Sequence, residues 1–320
     1  MQFDHAPLCS VICVTYNHAK FSGQGLQSIF DQTYRNLEII VLDDGSTDET
    51  TSVVRKTLET SPFPSKFIEQ DNTGNVPGNF NKALAHAKGT FITFLSLDDM
   101  LLPECIEARI KLLQADDQII FAADTGYQEI DANGTVINAD GQMPVANYQI
   151  HDTADLLEAE YQEIGTFYIQ GQVFRHDAVR TVGGFDDTMT GDDIILRTKL
   201  FRYLVDHPDL HFHLGDATMF AYRKHGGNLH KRSLRQFKTV IEWKEAFFPD
   251  RPYPRMFYLW LENYFRDCVR QDRYAELQTA LAFSPVVAEH YARYRKTWKM
   301  RRRLLKSRAR QILGLSRRQP

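Results

Sequence analysis

Residues 8–17 read LCSVICVTYN, a nearly continuous apolar run that ends in polar side chains. The pattern recurs in residues 37–44 (LEIIVLDD) and 91–99 (FITFLSLDD). Such runs are typical of strands that are covered on both faces of a parallel sheet. Between them lie segments of helical length, at about 19–32, 47–60 and 79–88. The alternation predicts an α/β fold with a mostly parallel, twisted sheet flanked by helices.

The rhythm changes after residue 118. Residues 118–123 predict another strand, and residues 127–137 predict a hairpin around an Asn133-Gly134 turn. Beyond residue 228 the pattern is helical and rich in Arg, Leu and aromatic residues. We therefore expect two regions, an α/β region over 1–228 and a helical extension over 229–320.

Composition excludes several classes of protein. The chain has 320 residues, with 43% hydrophobic and 25% charged side chains, which is typical of a folded globular protein and not of a hormone, a disulfide scaffold or a fibre. Its four cysteines follow no paired metal or redox spacing and are expected to be reduced core thiols. The sequence shows neither a signal peptide nor about 18 consecutive apolar residues, which predicts a cytoplasmic protein.

Charge is distributed unevenly along the chain. Residues 291–320 hold 12 Lys and Arg and no Asp or Glu, which gives this tail a charge of +12 and the preceding body −15. Within the tail an apolar stripe is accompanied by basic residues: Trp298, Leu305, Ala309, Ile312 and Leu313 with Arg301, Arg302, Arg303, Lys306, Arg308 and Arg310. The pattern predicts a basic amphipathic helix. An anionic membrane surface along 298–318, nucleic acid and packing on the protein's own helices are its three possible partners.

Polar residues follow each predicted strand, at the sheet edge where α/β proteins bind ligands. They are Thr15, Tyr16 and Asn17, then Asp43 and Asp44, then Ser96, Leu97, Asp98 and Asp99. Adjacent carboxylates are costly to bury unless a cation or hydrogen-bond donors satisfy them. A Mg²⁺ or Mn²⁺ ion that also binds a nucleoside diphosphate would satisfy them, whereas helix capping and a simple turn are the structural alternatives.

The order of these segments resembles the family 2 glycosyltransferases of GT-A fold over about residues 7–228. The segments that carry the resemblance are VICVTYNHAKF (11–21), SIFDQTYRNLEIIVLDDGSTDET (28–50), DNTGNVPGNFNKALAHAKGTFITFLSLDDMLLPE (71–104), and VGGFDD (182–187) followed by GDD (191–193). The resemblance implies a nucleotide-sugar donor, Mn²⁺ or Mg²⁺, and transfer with inversion to a saccharide or glycolipid acceptor. It also implies a role in cell-surface polysaccharide or lipopolysaccharide synthesis.

The resemblance also implies roles for individual residues. A nucleotide site would comprise the strand-end residues Thr15, Tyr16, Asn17, Asp43, Asp44, Leu97 and Asp98, together with Asn72, Gly74, Asn81 and Arg223. Metal ligands would be Asp98, Asp99 and His225, the last in a basic loop (YRKHGGN, 222–228) that resembles the closing loop of the family. Asp193, with Asp192 beside it, would be the general base. Helix-terminal acids are the structural alternative for this pair.

Two positions depart from the family pattern. Ser96 stands where an Asp is usual, which weakens the expected metal dependence, and Phe80 stands where an Arg is frequent. Gln170 and Gln172 are candidates to face the acceptor. UDP and dTDP donors are equally compatible with the base-binding acids, and the oligomeric state stays open.

Three other functions compete with sugar transfer. A nucleotidyltransferase would need a Gly-rich phosphate loop after the first strand, where Tyr16-Asn17-His18 stands instead. A nucleic-acid-binding protein would use the basic tail, although the body is acidic. A non-catalytic nucleotide-sugar-binding member of the family is the third, because of Ser96.

Overall fold

The computed structural model describes residues 6–226 and 233–312. Within these ranges the strands are β1 (Cys9–Thr15), β2 (Leu37–Asp43), β3 (Ser65–Glu69), β4 (Phe91–Ser96), β5 (Met100–Leu101), β6 (Ile119–Ile130), β7 (Val136–Gln142), β8 (Val173–Arg175) and β9 (His211–Arg223). The helices of the sheet region are α1 (Ser22–Phe30), α2 (Thr50–Leu58), α3 (Val76–Leu84), α4 (Cys105–Ala115), α5 (Thr153–Glu163), α6 (His176–Thr181) and α7 (Asp193–Asp206). Five helices follow: α8 (Ser233–Phe247), α9 (Arg255–Arg270), α10 (Tyr274–Phe283), α11 (Pro285–Tyr294) and α12 (Trp298–Ile312).

All nine strands belong to one sheet. Its order is β3-β2-β1-β4-β8-β6-β9-β5, and β7 pairs with β6 outside this path. The first four strands are mutually parallel, whereas β8 and β5 are antiparallel to their neighbours. In the register, Thr15 lies opposite Asp43, and Val14 lies opposite Ser96. The carboxyl ends of β1, β2 and β4 are therefore level with one another.

The central strand β1 is covered on both faces, as its apolar run predicts. Val11 and Cys13 belong to one buried cluster, and Ile12 belongs to the other. All four cysteines are buried and unpaired. The expected α/β fold with a mostly parallel sheet and a helical extension is confirmed.

The C-terminal helices build a third cluster around Trp243, which is fully buried. Its indole N–H donates to Thr198 Oγ1 on α7 at 2.8 Å, and Ile194 and Ile195 of α7 join the same cluster. The extension therefore packs directly on the sheet region. The expected boundary at residue 228 lies outside the described residues, and the division into two domains stays a prediction.

Two details of the sheet differ from the expectation. The edge strand β3 was not predicted, because its sequence SKFIE lacks an apolar run and is partly exposed. Residues 118–123 and the first hairpin strand form the single long strand β6, which pairs with β7 across a turn containing Gly134. The hairpin itself is confirmed. In the part of the chain that the structure describes, no helix is both long and apolar enough to cross a membrane.

Helix α1 approaches the end of β4 more closely than any side chain would allow. A Cβ atom on Gly25 would lie 2.8 Å from the carbonyl oxygen of Leu97 and 3.1 Å from that of Asp99. On the same helix, a Cβ on Gly23 would lie 3.6 Å from Val53 Cγ1, which is an ordinary contact. Gly25 thus sets the distance between α1 and the Leu97–Asp99 turn.

We expect Gly25→Ala to lower the free energy of unfolding by about 1–3 kcal/mol, because the methyl group displaces backbone atoms in a packed core. Gly23→Ala is the matched control and should raise it by up to about 1 kcal/mol through helix propensity. Urea denaturation of both variants measures the difference. Equal stability of the two variants would contradict this packing.

Candidate active site

Two loops at the carboxyl end of the sheet hold each other in place. After β1, the Asn17 backbone N–H donates to Ser46 Oγ at 2.9 Å, and Asn17 Oδ1 accepts from the Thr47 N–H at 2.8 Å. Asn17 has a φ of 54°, a conformation that Asn tolerates better than most residues. The Asp43 carboxylate accepts from the Ser46 N–H at 3.0 Å. Asp43 and Asn17 therefore shape these loops.

The Asp44 carboxylate organises a third loop. Its Oδ1 accepts from Gln70 Nε2 and from the Thr73 N–H and hydroxyl at 2.8–2.9 Å, and its Oδ2 accepts from the Gly74 N–H at 3.0 Å. Burial alone would raise the pKa of Asp44, but these hydrogen bonds outweigh it and lower the pKa. Asn72 Nδ2 donates to the Asp44 carbonyl at 2.8 Å. The Asp44 carboxylate therefore holds the loop of residues 70–74 in position.

The other expected nucleotide residues lie in different environments. Tyr16 is 41% exposed at the end of β1, whereas Thr15 and Leu97 are buried. Asn81 is bound from both ends of its amide by the backbone of Phe185, at 2.8 and 2.9 Å. Asn81 therefore holds the 182–187 segment against α3, and its expected contact with the nucleotide stays a prediction, as do those of Thr15, Tyr16 and Leu97.

Phe80 explains one departure from the family pattern. Its side chain is fully buried and stacks on Phe185, with ring centroids 4.9 Å apart. It also contacts Phe94 of β4 edge to face at 5.5 Å. Phe80 is therefore part of the hydrophobic core, and it makes no contact with a phosphate.

Asp98 lies between two histidines. His225 Nε2 is 3.0 Å and His18 Nε2 is 3.8 Å from Asp98 Oδ2. Burial alone would raise the pKa of Asp98, but the hydrogen bond from His225, the charge of His18 and a hydrogen bond from Ser96 lower it to about 2. Ser96, which replaces the usual carboxylate, thus stabilises the ionised form of Asp98. His18 was not among the sequence-based candidates, although it directly follows Tyr16-Asn17.

These residues suit part of a divalent-metal site. Within the described ranges, Asp98 Oδ1 and His18 Nδ1 are buried without a hydrogen-bond partner, which is rare for polar atoms. Carboxylate and imidazole both ligate Mn²⁺, and diphosphate oxygens ordinarily complete the shell of such ions. No cluster of three or more His, Cys, Asp or Glu side chains in the described part of the chain is arranged to hold a metal. The residues present fit an ion that is bound together with a diphosphate.

Asp99 and Arg223 form a buried pair behind Asp98. Asp99 Oδ1 accepts from the Arg223 backbone N–H at 2.7 Å, and burial and the charge of Asp98 raise the pKa of Asp99. The Arg223 guanidinium is fully buried and donates to the Asp98 carbonyl at 2.6 Å and to Gln24 Oε1 at 2.8 Å. In this structure Asp99 Oδ1 is thus occupied by the backbone, and the Arg223 guanidinium by protein acceptors. The expected metal contact of Asp99 and the expected nucleotide contact of Arg223 stay predictions.

Asp193 begins helix α7, and its side chain keeps 23% exposure. Its Oδ2 accepts from the Ile169 N–H at 3.3 Å and lies 3.7 Å from Arg197 Nη1. Burial and the charge of Asp192 raise the pKa of Asp193 to about 7 despite Arg197. Arg197 makes a closer ion pair with Glu160, at 3.0 Å, so its charge is shared. Asp192 caps the helix by accepting from the Asp193 N–H at 2.9 Å.

Consecutive residues connect Asp193 to the end of β4. Ile169 donates to Asp193, and Gln170 Oε1 accepts from the Ser96 N–H at 2.9 Å. This connection was not predicted, because nothing in the sequence of residues 169–170 marks it. Gln172 is fully buried and accepts from Arg109 Nε at 2.9 Å, so the expectation that it faces an acceptor is wrong.

Comparison with known proteins identifies the family. Residues 10–183, more than half of the chain, match the model of glycosyl transferase family 2. The chain belongs to this family, as its sequence motifs predicted.

Relatives identified by sequence match this chain over shorter stretches. A Campylobacter jejuni protein named GalNAc(5)-diNAcBac-PP-undecaprenol beta-1,3-glucosyltransferase is 40% identical over 96 residues, which are 30% of this chain and 31% of that protein. An uncharacterized glycosyltransferase of Nostoc sp. is 34% identical over 110 residues, or 34% of each chain. The chain thus spans about a third of the length of these two curated relatives.

Solved structures share the fold over nearly the whole chain. A mannosyltransferase of Pyrobaculum calidifontis, in complex with GDP-Man and Mn²⁺, has a TM-score of 0.57 at 18% identity and covers 97% of this chain and 88% of its own. Residues 1–349 of S. aureus TarS, in complex with UDP-GlcNAc, have a TM-score of 0.55 at 16% identity, covering 96% and 92%. At these identities the likeness concerns the fold.

The raised pKa of Asp193 has a consequence for stability. A carboxyl with a pKa near 7 when folded and about 4 when unfolded binds a proton more tightly in the native state, so stability falls as pH rises from about 4 to 7. We expect Asp193→Asn to raise the free energy of unfolding at pH 8, by at most about 4 kcal/mol, and to change it little at pH 4. Urea denaturation at both pH values measures this difference.

Asp209→Asn, at an exposed position of the turn after α7, is the control for loss of a carboxylate. It should show no such difference between pH 4 and pH 8. A destabilised Asp193→Asn variant at pH 8 would mean that the ionised carboxylate supports the fold.

Proposed function

We propose that this protein transfers a sugar from a UDP- or dTDP-linked donor to a hydroxyl of a saccharide acceptor, with a divalent ion and with inversion at the anomeric carbon. The observation that carries the proposal is the Ile169-Gln170 connection. The Asp193 carboxyl, whose pKa is raised to about 7, accepts from the Ile169 N–H, and the next residue, Gln170, accepts from the Ser96 N–H at the end of β4; these contacts support Asp193 as the base. Family membership and structural neighbours that hold nucleotide sugars support the same reading.

The base of the reaction is Asp193. As the acceptor oxygen attacks the anomeric carbon, its proton passes to the Asp193 carboxylate. The bond from that carbon to the diphosphate oxygen breaks, and its electron pair leaves with the nucleoside diphosphate. The carboxylate of Asp192 caps α7, so we assign it no part in the displacement. Asp193 acts as the only carboxylate base, and a single displacement inverts the configuration of the anomeric carbon.

The leaving group would be stabilised by an ion held at Asp98. Asp98, with His225 or His18, would hold Mn²⁺ or Mg²⁺ together with the diphosphate, and the positive charge of the ion would offset the charge that develops on the diphosphate. Asp98 is kept ionised by its neighbours, with a pKa of about 2. The Mn²⁺ in the Pyrobaculum calidifontis complex supports the choice of ion.

Nucleotide contacts are proposed for the ordered loops around Asp44. Tyr16 would stack near the base from its exposed position, and Asn17, Asn72 and Gly74 would line the approach. Asp44 would contribute to base recognition through the loop that it fixes and through any lone pair left by its four donors. The acceptor would be a lipid-linked saccharide of cell-surface polysaccharide or lipopolysaccharide synthesis, which the name of the Campylobacter jejuni relative supports.

The first test of the proposal is release of nucleoside diphosphate from a panel of UDP-, dTDP- and GDP-sugars. We expect turnover of one donor, and Asp193→Asn should lower the rate on the order of 10²–10⁴-fold because the base is lost. For the wild type the rate should rise with pH through an apparent pKa near 7, since the base must be deprotonated. Asp209→Asn is the matched control and should keep the wild-type rate and profile.

Other outcomes separate the competing functions. Donor binding without turnover by the wild type would indicate a non-catalytic member of the family. Absence of both binding and turnover across the panel would overturn the proposal.

A second test addresses the metal. EDTA should abolish nucleotide release, and Mn²⁺ should restore it. Asp98→Asn should weaken Mn²⁺-dependent binding of UDP or dTDP by at least about tenfold in calorimetric titrations, because one anionic ligand is lost. Unchanged release in EDTA would show that the diphosphate leaves without an ion.

A further inference from the structure

Helix α12 is fixed to the protein by one of its faces. Met300 is fully buried in the cluster around Trp243, and Leu304 packs against the same cluster. Ser307 is also buried, where its hydroxyl accepts from Tyr274 Oη at 2.8 Å and donates to the Asp272 carboxylate. These contacts determine which side of α12 faces away from the body.

The outward face carries the two most exposed large apolar side chains in the described part of the chain. Trp298 is 70% exposed and Leu305 is 66% exposed. They are seven residues apart, which is about two turns, so they lie on one line along the helix. Packing of this stripe on the protein's own helices, one of the alternatives above, is therefore wrong for Trp298 and Leu305.

Basic residues flank this apolar line. At about 100° per residue, Arg302 and Lys306 lie on one side of it and Arg301 lies on the other, and all three are exposed. The Arg302 guanidinium carbon is 5.6 Å from the centroid of the Trp298 ring. The part of the chain that the structure describes does not include the side chains of Arg308, Arg310 and Ile312, or residues 313–320. We call the surface formed by Trp298, Arg301, Arg302, Leu305 and Lys306 the α12 ridge.

We propose that the α12 ridge docks on an anionic lipid surface. An apolar line that contains Trp and is bordered by cations suits the interface of a bilayer, where the apolar groups enter the headgroup region and the cations meet lipid phosphates. Charge favours this orientation, because the tail carries +12 and the body −15. The acidic body is repelled by the same membrane that attracts the ridge.

Other occupants fit the ridge less well. A nucleic-acid phosphate backbone would pair with the cations but would leave Trp298 and Leu305 against a polar surface. Contact between two copies of the ridge would place like charges together. Docking would bring the active site to lipid-linked acceptors; that benefit depends on the proposed function, whereas the docking itself does not.

The test is co-sedimentation of the full chain with vesicles of phosphatidylcholine alone or with 30% phosphatidylglycerol added. We expect binding to the anionic vesicles that weakens as salt is raised. Arg301→Glu, Arg302→Glu and Lys306→Glu together should weaken it on the order of a hundredfold, because three attractive charges become repulsive. Trp298→Ala with Leu305→Ala should weaken it by about tenfold or more.

The matched control variants carry equivalent substitutions at positions outside the ridge. Lys56→Glu, Arg180→Glu and Lys88→Glu together make an equal charge change at exposed positions of the body, and Val205→Ala removes an exposed apolar side chain of α7. Both should bind as the wild type does. Donor turnover without vesicles, measured for every variant, reports failure of the proposed function separately from failure of docking.

Four results would overturn the proposal. Three are no binding to anionic vesicles, equal losses in the ridge and control variants, and stronger binding to single-stranded RNA than to vesicles at the same salt. The fourth is a dimer in size-exclusion chromatography that the ridge variants abolish, which would assign the ridge to a second copy. Fluorescence of Trp298, with Trp298→Phe subtracted, should shift to shorter wavelength only on anionic vesicles.

Discussion

The buried guanidinium of Arg223 connects the parts of the protein that meet at the active site. It lies at the end of β9 and donates to the Asp98 carbonyl after β4, to the Asp131 carbonyl in the β6–β7 turn, and to Gln24 on α1. Its own backbone N–H is bound by Asp99. A buried charge is tolerated only when such partners satisfy it, so these elements must assemble together. The position of Asp98 therefore depends on contacts that close the second half of the sheet onto the first.

This constraint separates the roles of two adjacent carboxylates. Asp99 accepts from the Arg223 backbone and completes the assembly, whereas Asp98 lies between His18 and His225. The lack of a side chain at Gly25 allows α1 to approach the same turn, and α1 begins just after the loop that carries His18. Packing thus prepares the geometry of Asp98, while its two imidazole neighbours keep it ionised.

Much of this arrangement is encoded locally and could be predicted from the sequence. Apolar runs ending in Asp44 and Asp98 indicated the sheet and the edge that we propose to be functional, since parallel strands bring their carboxyl ends together. What could not be predicted depends on contacts between residues distant in the chain. The pairing of Asp99 with the Arg223 amide spans 124 positions, and the bond of Ile169 to Asp193 follows from the packing of α7. The sequence shows that a residue at a strand end is polar, but only the fold shows the direction of its side chain.

The carboxylate of Asp44, which accepts four hydrogen bonds, also limits how this protein can diverge. Four donors from residues 70–74 converge on it, and a Cβ on Gly45 would lie 2.4 Å from the Asn72 nitrogen, so the two loops are locked together. Replacing Asp44 would release the loop as well as alter any contact with a base. Under the proposed function, a new nucleotide preference would therefore evolve through exposed neighbours such as Tyr16, which can vary without loosening the scaffold.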